Sequence, residues 1–145
     1  NNTTGINQSI SMTIGSDNLP LILYSFTTGT KVAKCKRVDC SNAPTDVVFT
    51  QLEIGPAASV SITIGADGLP LLVYISGTTL KVKHCGDVDC SASVATEYWP
   101  VSGVSKATVA IGIDGLPIIT YIDTSNNLKV LHCGSETCVP YWTRR

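Results

Sequence analysis

The side chains of this chain that carry the most chemistry are six cysteines, two histidines and a recurrent aspartate, and all of them fall at repeated spacings. The cysteines form the pairs Cys35/Cys40, Cys85/Cys90 and Cys133/Cys138, each with four residues between and each just after a strand-like Lys-Val segment. An even count in identical local pairs favours three disulfides and an oxidising compartment, because facing positions of a hairpin bring Cβ atoms within bridging distance. Loops this short remove little chain entropy, about 2 kcal/mol per bridge. Such bridges pin hairpins and do not tie modules together. The alternatives are free thiols, or zinc held with His84 and His132, which precede Cys85 and Cys133. Against zinc, the first repeat has Lys34 at the histidine position, and neighbours on a strand point to opposite faces.

Asp17, Asp67 and Asp114 sit in equivalent turns. They could form a ring of carboxylates for a ligand, but aspartate caps such turns through its own side chain, and no metal or cofactor is expected. Tyr24, Tyr74 and Tyr121 lie on the most apolar segments and read as core, with their hydroxyls bonded between modules. Trp99 and Trp142, with Tyr98 and Tyr141, fall on outer strands, where an exposed ring can stack on the apolar face of a sugar. Repeated shallow sites of this kind give avidity to a weak ligand; the competing reading is packing of outer strands against neighbours.

A catalytic centre needs different groups at one place, whereas almost every reactive side chain here belongs to the copied pattern. No nucleophile elbow, His-Glu-x-x-His, phosphate loop or EF-hand loop is present in the sequence. A hydrolase would have to draw on the non-repeated Glu97 and Asp123. The expectation is therefore a protein that is not an enzyme.

The elements that would position these residues are three near copies of one unit within 145 residues. Ile14-Gly15-Ser16-Asp17-Asn18-Leu19-Pro20 recurs at Ile64 to Pro70 and at Ile111 to Pro117, each followed by an apolar run, a tyrosine, Lys-Val and Cys-x4-Cys. A period of about 50 residues marks a repeat architecture. Net charge is −1 with 14% charged residues, which gives no field for nucleic acid or an anionic membrane. The local basic run Lys31, Lys34, Lys36 and Arg37 reads as a solvated edge. Gly, Pro or Asp interrupts every apolar run, so no membrane span is expected. The polar start Asn1-Asn2-Thr3-Thr4 reads as a mature or trimmed N-terminus, and Asn1, Asn2 and Asn7 each begin a glycosylation sequon.

In the middle repeat, Ser59 to Ile64 alternates polar and apolar residues as a half-buried strand does. Ala66-Asp67-Gly68 turns the chain, Leu69 to Ile75 forms a second strand that is apolar on both faces, and Leu80 to Cys85 alternates as a third. Ala95 to Trp99 is the fourth, matched by Val47 to Phe49 and by Val139 to Trp142, where Pro140 indicates an edge. The fold class is all-β: one repeat domain over 1–145 of three four-stranded antiparallel blades, about 9–52, 59–101 and 106–143. A β-trefoil is the alternative, without the late Gln-x-Trp-like signature usual in each of its repeats.

The pattern Ile-Gly-x-Asp-Gly-Leu-Pro, apolar strand, Tyr, Leu-Lys-Val-x-His-Cys and second Cys resembles tandem repeats of large secreted or surface-associated bacterial proteins of propeller type. The likeness spans nearly the whole chain; in the first repeat Asn18 replaces the turn glycine and Lys34 the histidine. The resemblance implies a β-propeller and export to an extracellular or cell-surface location, and carries no catalytic residue set. Three blades do not comfortably close a ring, since propellers have about four to eight. Both ends fall in crossovers between blades, which predicts self-association: a homodimer of six blades, or alternatively a trimer of nine. The function expected is a non-enzymatic binding module for a glycan or protein ligand. A structural or interaction scaffold without a pocket is the alternative, and a propeller-type glycoside hydrolase the third reading.

Overall fold

The computed structural model describes residues 9–41 and 44–138, with residues 93–100 and 102 described by their backbone alone. Among them there is no helix. The chain forms three separate antiparallel sheets that follow one another in sequence. The first holds β1 (Ile10–Ile14), β2 (Pro20–Phe26), β3 (Gly29–Cys35) and β4 (Val47–Glu53), and the second β5 (Ala57–Ile64), β6 (Pro70–Ser76), β7 (Thr79–Cys85) and β8 (Ser93–Ser102). In the third are β9 (Val104–Ile111), β10 (Pro117–Asp123) and β11 (Leu128–His132). Each sheet is a meander in chain order. The segment Val139 to Trp142, expected as the fourth strand of the third sheet, lies outside the described residues.

The recurrent heptad explains the first hairpin of every sheet. Gly15 N–H donates to Leu19 O at 2.9 Å and Asn18 N–H to Gly15 O at 2.9 Å, and the same two bonds recur at Gly65/Leu69/Gly68 and Gly112/Leu116/Gly115. The aspartate carboxylate accepts the N–H of Leu19, Leu69 or Leu116 at 3.0–3.1 Å. It folds so tightly over the preceding glycine that a Cβ there would lie 2.6–2.7 Å from its oxygen. The next residue takes the left-handed conformation, at φ 61° for Asn18, 81° for Gly68 and 79° for Gly115, which glycine adopts without steric cost and asparagine tolerates. The proline then opens the second strand, a position that requires no ladder N–H.

The first strands of the three sheets adjoin, β1 beside β5 and β5 beside β9, so the sheets stack in sequence order. Leu21, Leu23 and Val32 of the first sheet pack against Val60, Ile62, Leu72 and Tyr74 of the second. On its other side the second sheet presents Leu71, Val73, Leu80 and Val82 to Ala107, Val109 and Ile119 of the third. Being enclosed on both sides, β6 is buried from Pro70 through Ile75, as its two-sided apolar sequence requires.

The six cysteines form three disulfides, Cys35–Cys40, Cys85–Cys90 and Cys133–Cys138, with Cα separations of 5.3, 4.9 and 4.7 Å. No cysteine is free among the described residues. The second cysteine of each pair is left-handed, at φ 49°, 57° and 58°, in a turn closed by its own N–H to the carbonyl of Arg37, Asp87 or Ser135.

Candidate functional site

Register places each turn aspartate beside a basic side chain of the third strand. Leu21 pairs with Lys34, Leu71 with His84 and Ile118 with His132, so the residue before the first cysteine returns to the turn that precedes β2, β6 or β10. Lys34 Nζ donates to Asp17 Oδ1 at 2.6 Å, and His132 Nε2 hydrogen-bonds Asp114 Oδ2 at 2.7 Å. His84 Nε2 lies 2.7 Å from Asp67 Oδ2 without the alignment of a hydrogen bond. The aspartates are thus turn caps that also hold a basic group, in a lysine or histidine version of one clamp. Partial burial pushes the Asp17 carboxyl up, but the hydrogen bonds from Lys34 and the Leu19 N–H, with the Lys34 charge, outweigh it and hold it below 3.8. Asp114 is also held low, first by the Leu116 N–H and then by His132.

The clamps report which side of each sheet is covered. Lys34 and His84 side chains are 6% and 7% exposed, beneath the second and third sheets, whereas His132 is 52% exposed. The basic run of the first repeat is accordingly not a solvated edge throughout. Lys34 is buried in its clamp, Lys31 stands over the Phe26 ring at 5.0 Å, and only Lys36 and Arg37 are exposed.

Each module has two unlike faces, and the chain uses each of them twice. A forward face, Leu21/Leu23/Val32 and then Leu71/Val73/Val82, meets a rear face, Val60/Ile62/Leu72/Tyr74 and then Ala107/Val109/Ile119. Among the described residues one rear and one forward face are left over. On the rear face of the first sheet Ile10 is 73% exposed, Met12 61% and Phe49 50%; on the forward face of the third, Leu128 is 70% and Val130 65%. Contiguous exposed apolar side chains of this kind mark binding surfaces. The first-sheet face holds a cleft of about 500 Å³ lined by Ile10, Ile22, Tyr24, Phe26 and Ala33. In it the Tyr24 and Phe26 rings stack, with centroids 5.8 Å apart and planes at 24°. A cleft of about 300 Å³ in the third sheet is lined in part by Lys106, Thr108, Thr120, Ile122 and Leu128.

The tyrosines expected in the core differ accordingly. Tyr74 is buried between sheets, while Tyr24 and Tyr121 are half-buried, and burial pushes the Tyr24 hydroxyl up. Of the candidate ligand-binding aromatics, Tyr98 and Trp99 belong to β8, the last strand of its sheet. Their side chains, and Tyr141 and Trp142 altogether, lie outside the described residues. Glu97 is in the same position on β8, and Asp123 accepts the N–H groups of Ser125 and Asn127 at 2.9 Å, as a turn cap does.

Sequence reasoning missed an acid that crosses between sheets. Glu53, at the end of β4, binds Lys81 and accepts Ser76 Oγ at 3.2 Å, with the Lys81 ammonium 6.0 Å from the Tyr74 ring. Burial pushes the neighbouring Lys83 ammonium down, against the attraction of Glu53. The lack of a Glu53 counterpart in the copied pattern was the available signal.

Neither a protein-family model nor a curated protein sequence matches the chain.

Proposed function

We propose that this chain is a non-enzymatic, extracellular binding module, built of consecutive blades of propeller type, that takes an apolar protein surface on the rear face of its first sheet. The observation that carries the reading is a contrast between equivalent residues: Ile10 and Met12 are 73% and 61% exposed, where Val60 and Ile62 are each 6%. The same side chains that close an interface between modules stand in solvent at the first module. The blade arrangement is supported by separate antiparallel sheets whose first strands adjoin in order, and export by the three disulfides. The recurrent Asp, His and Lys groups are engaged in holding turns, which supports a role without catalysis.

The test is uptake of an anilinonaphthalene sulfonate dye, which reports accessible apolar surface, by dilute protein. Wild type should enhance the dye more strongly than an Ile10→Asp/Met12→Asp variant, which keeps only the apolar face of the third sheet, with far-UV circular dichroism unchanged. Equal dye uptake by the two proteins overturns the reading.

A second reading, a glycan site, is favoured by the Tyr24–Phe26 ring pair open to a cleft, since stacked rings match the apolar face of a sugar. Saturable binding on a glycan array that is lost in Phe26→Ala would establish it in place of the protein surface.

A further inference from the structure

The occupant of the first-sheet face can be read from the two module interfaces already inside the chain. We infer that it is the forward face of the third sheet of a second copy, docked head to tail in the register that joins the first sheet to the second and the second to the third. This rests on the reading of the first-sheet face as a binding surface.

Three features of the internal interfaces have full or partial counterparts at the two uncovered faces. The first is a row of hydroxyl caps. Ser9 Oγ and Ser11 Oγ accept the backbone N–H groups of Val60 and Ile62 at 3.0 and 3.2 Å; one module later, Ser59 Oγ and Ser61 Oγ accept those of Ala107 and Val109 at 3.3 and 3.1 Å. In the third module the corresponding residues are Lys106 and Thr108, and the N–H groups they would meet are those of Ile10 and Met12. Ser9 O accepts Ser25 N–H at 2.9 Å. Alternation along an antiparallel strand therefore turns the backbone groups of Ile10 and Met12 to the outer edge of β1, where the caps of a preceding module would arrive.

The second feature is apolar complementarity. Val32 and Val82 are 0% and 1% exposed and Leu80 is 0%, whereas their counterparts Val130 and Leu128 are 65% and 70%. The half-covered clamp of Asp114 and His132 lies on this same face. The third is contact between turns. A Cβ at Gly68 would lie 3.4 Å from the Ser16 Cβ, and one at Gly115 would lie 3.3 Å from the Ala66 Cβ. The next member of that series sets Ile113, fully exposed, against Asn18 of the second copy.

One cap is missing. Lysine has no acceptor, so Lys106 cannot replace the hydroxyls of Ser9 and Ser59, and only Thr108 can cap. The contact is heterologous, and two copies joined in this way at both ends would form a ring of six sheets.

Sedimentation at micromolar concentration should give wild type twice the monomer mass of 15.3 kDa. Ile10→Asp/Met12→Asp and Leu128→Asp/Val130→Asp should each sediment as monomers, and a mixture of the two should form a heterodimer through its one intact interface. Lys106→Ser adds the missing acceptor and should tighten self-association about three- to tenfold, while Thr108→Val should loosen it by a similar factor. A monomeric wild type, dimers of either aspartate variant, or a mixture that stays monomeric overturns the head-to-tail contact. If monomeric wild type still takes up the dye in an Ile10- and Met12-dependent manner, the binding face stands and only its occupant is wrong.

Discussion

Ser61 Oγ accepts the backbone N–H of Val109 at 3.1 Å and touches Thr108 Oγ1 at the same distance, so one hydroxyl links two sheets. Its removal leaves a buried donor unpaired, which costs more than the net value of the bond itself. Ser61→Ala should lower stability by about 1 to 2 kcal/mol in urea unfolding, and Ser61→Thr should keep most of it. A neutral Ser61→Ala would show that these caps are incidental.

The clamps should rank by their burial. Asp17→Asn removes the charged partner of a lysine that is 6% exposed, and an uncompensated buried ammonium is costly. Discounted for the partial exposure of Asp17, the expected loss is about 1 to 3 kcal/mol. Asp114→Asn, beside the open His132, should cost less; thermal midpoints of the two variants give the comparison, and equal losses would refute the ranking.

The same clamp sets a pH dependence. The Asp17 carboxyl is held below its ordinary 3.8 in the folded chain, so the unfolded chain binds more protons there as the medium is acidified. Its contribution is complete above the unfolded value and disappears as pH falls through the folded one. The stability gap between wild type and Asp17→Asn should therefore be constant near neutrality and close below about pH 4. A gap that widens on acidification would contradict this.

The turn conformations separate two substitutions. Gly68 sits at φ 81° against Ser16, so Gly68→Ala should destabilise by about 1 to 2 kcal/mol. Asn18→Gly, at φ 61°, gains conformational ease but frees the unfolded chain, and should change stability by less than about 0.5 kcal/mol. Denaturant midpoints of the two variants decide it.

Strands and turns were legible because they are local. Ser59-Val60-Ser61-Ile62 reads as a strand from its alternation, and Asp67-Gly68 as a turn from its chemistry. What the alternation misjudges is the environment. It assigns Ser59 and Ser61 to water, whereas they face the third module while Val60 and Ile62 face the first, because small hydroxyl side chains there serve as caps for backbone donors of the neighbouring strand. The pairing of Asp67 with His84 was not visible either: the two are 17 residues apart and meet only through the register of β6 on β7. Three parallel substitutions of Lys or His against an invariant Asp were the available hint. Exposure of Tyr24 but not Tyr74 depends on which neighbour is present, which no repeat reveals about itself.

Each disulfide begins and ends inside one copy of the repeat, five positions apart, in a turn of its own. The near partner is reached far sooner than any distant one by a chain closing small loops, so of the many pairings open to six cysteines the local set is kinetically first. The module is therefore self-contained in its oxidation chemistry. Duplication or loss of a whole copy would add or remove two cysteines together and leave no orphan thiol.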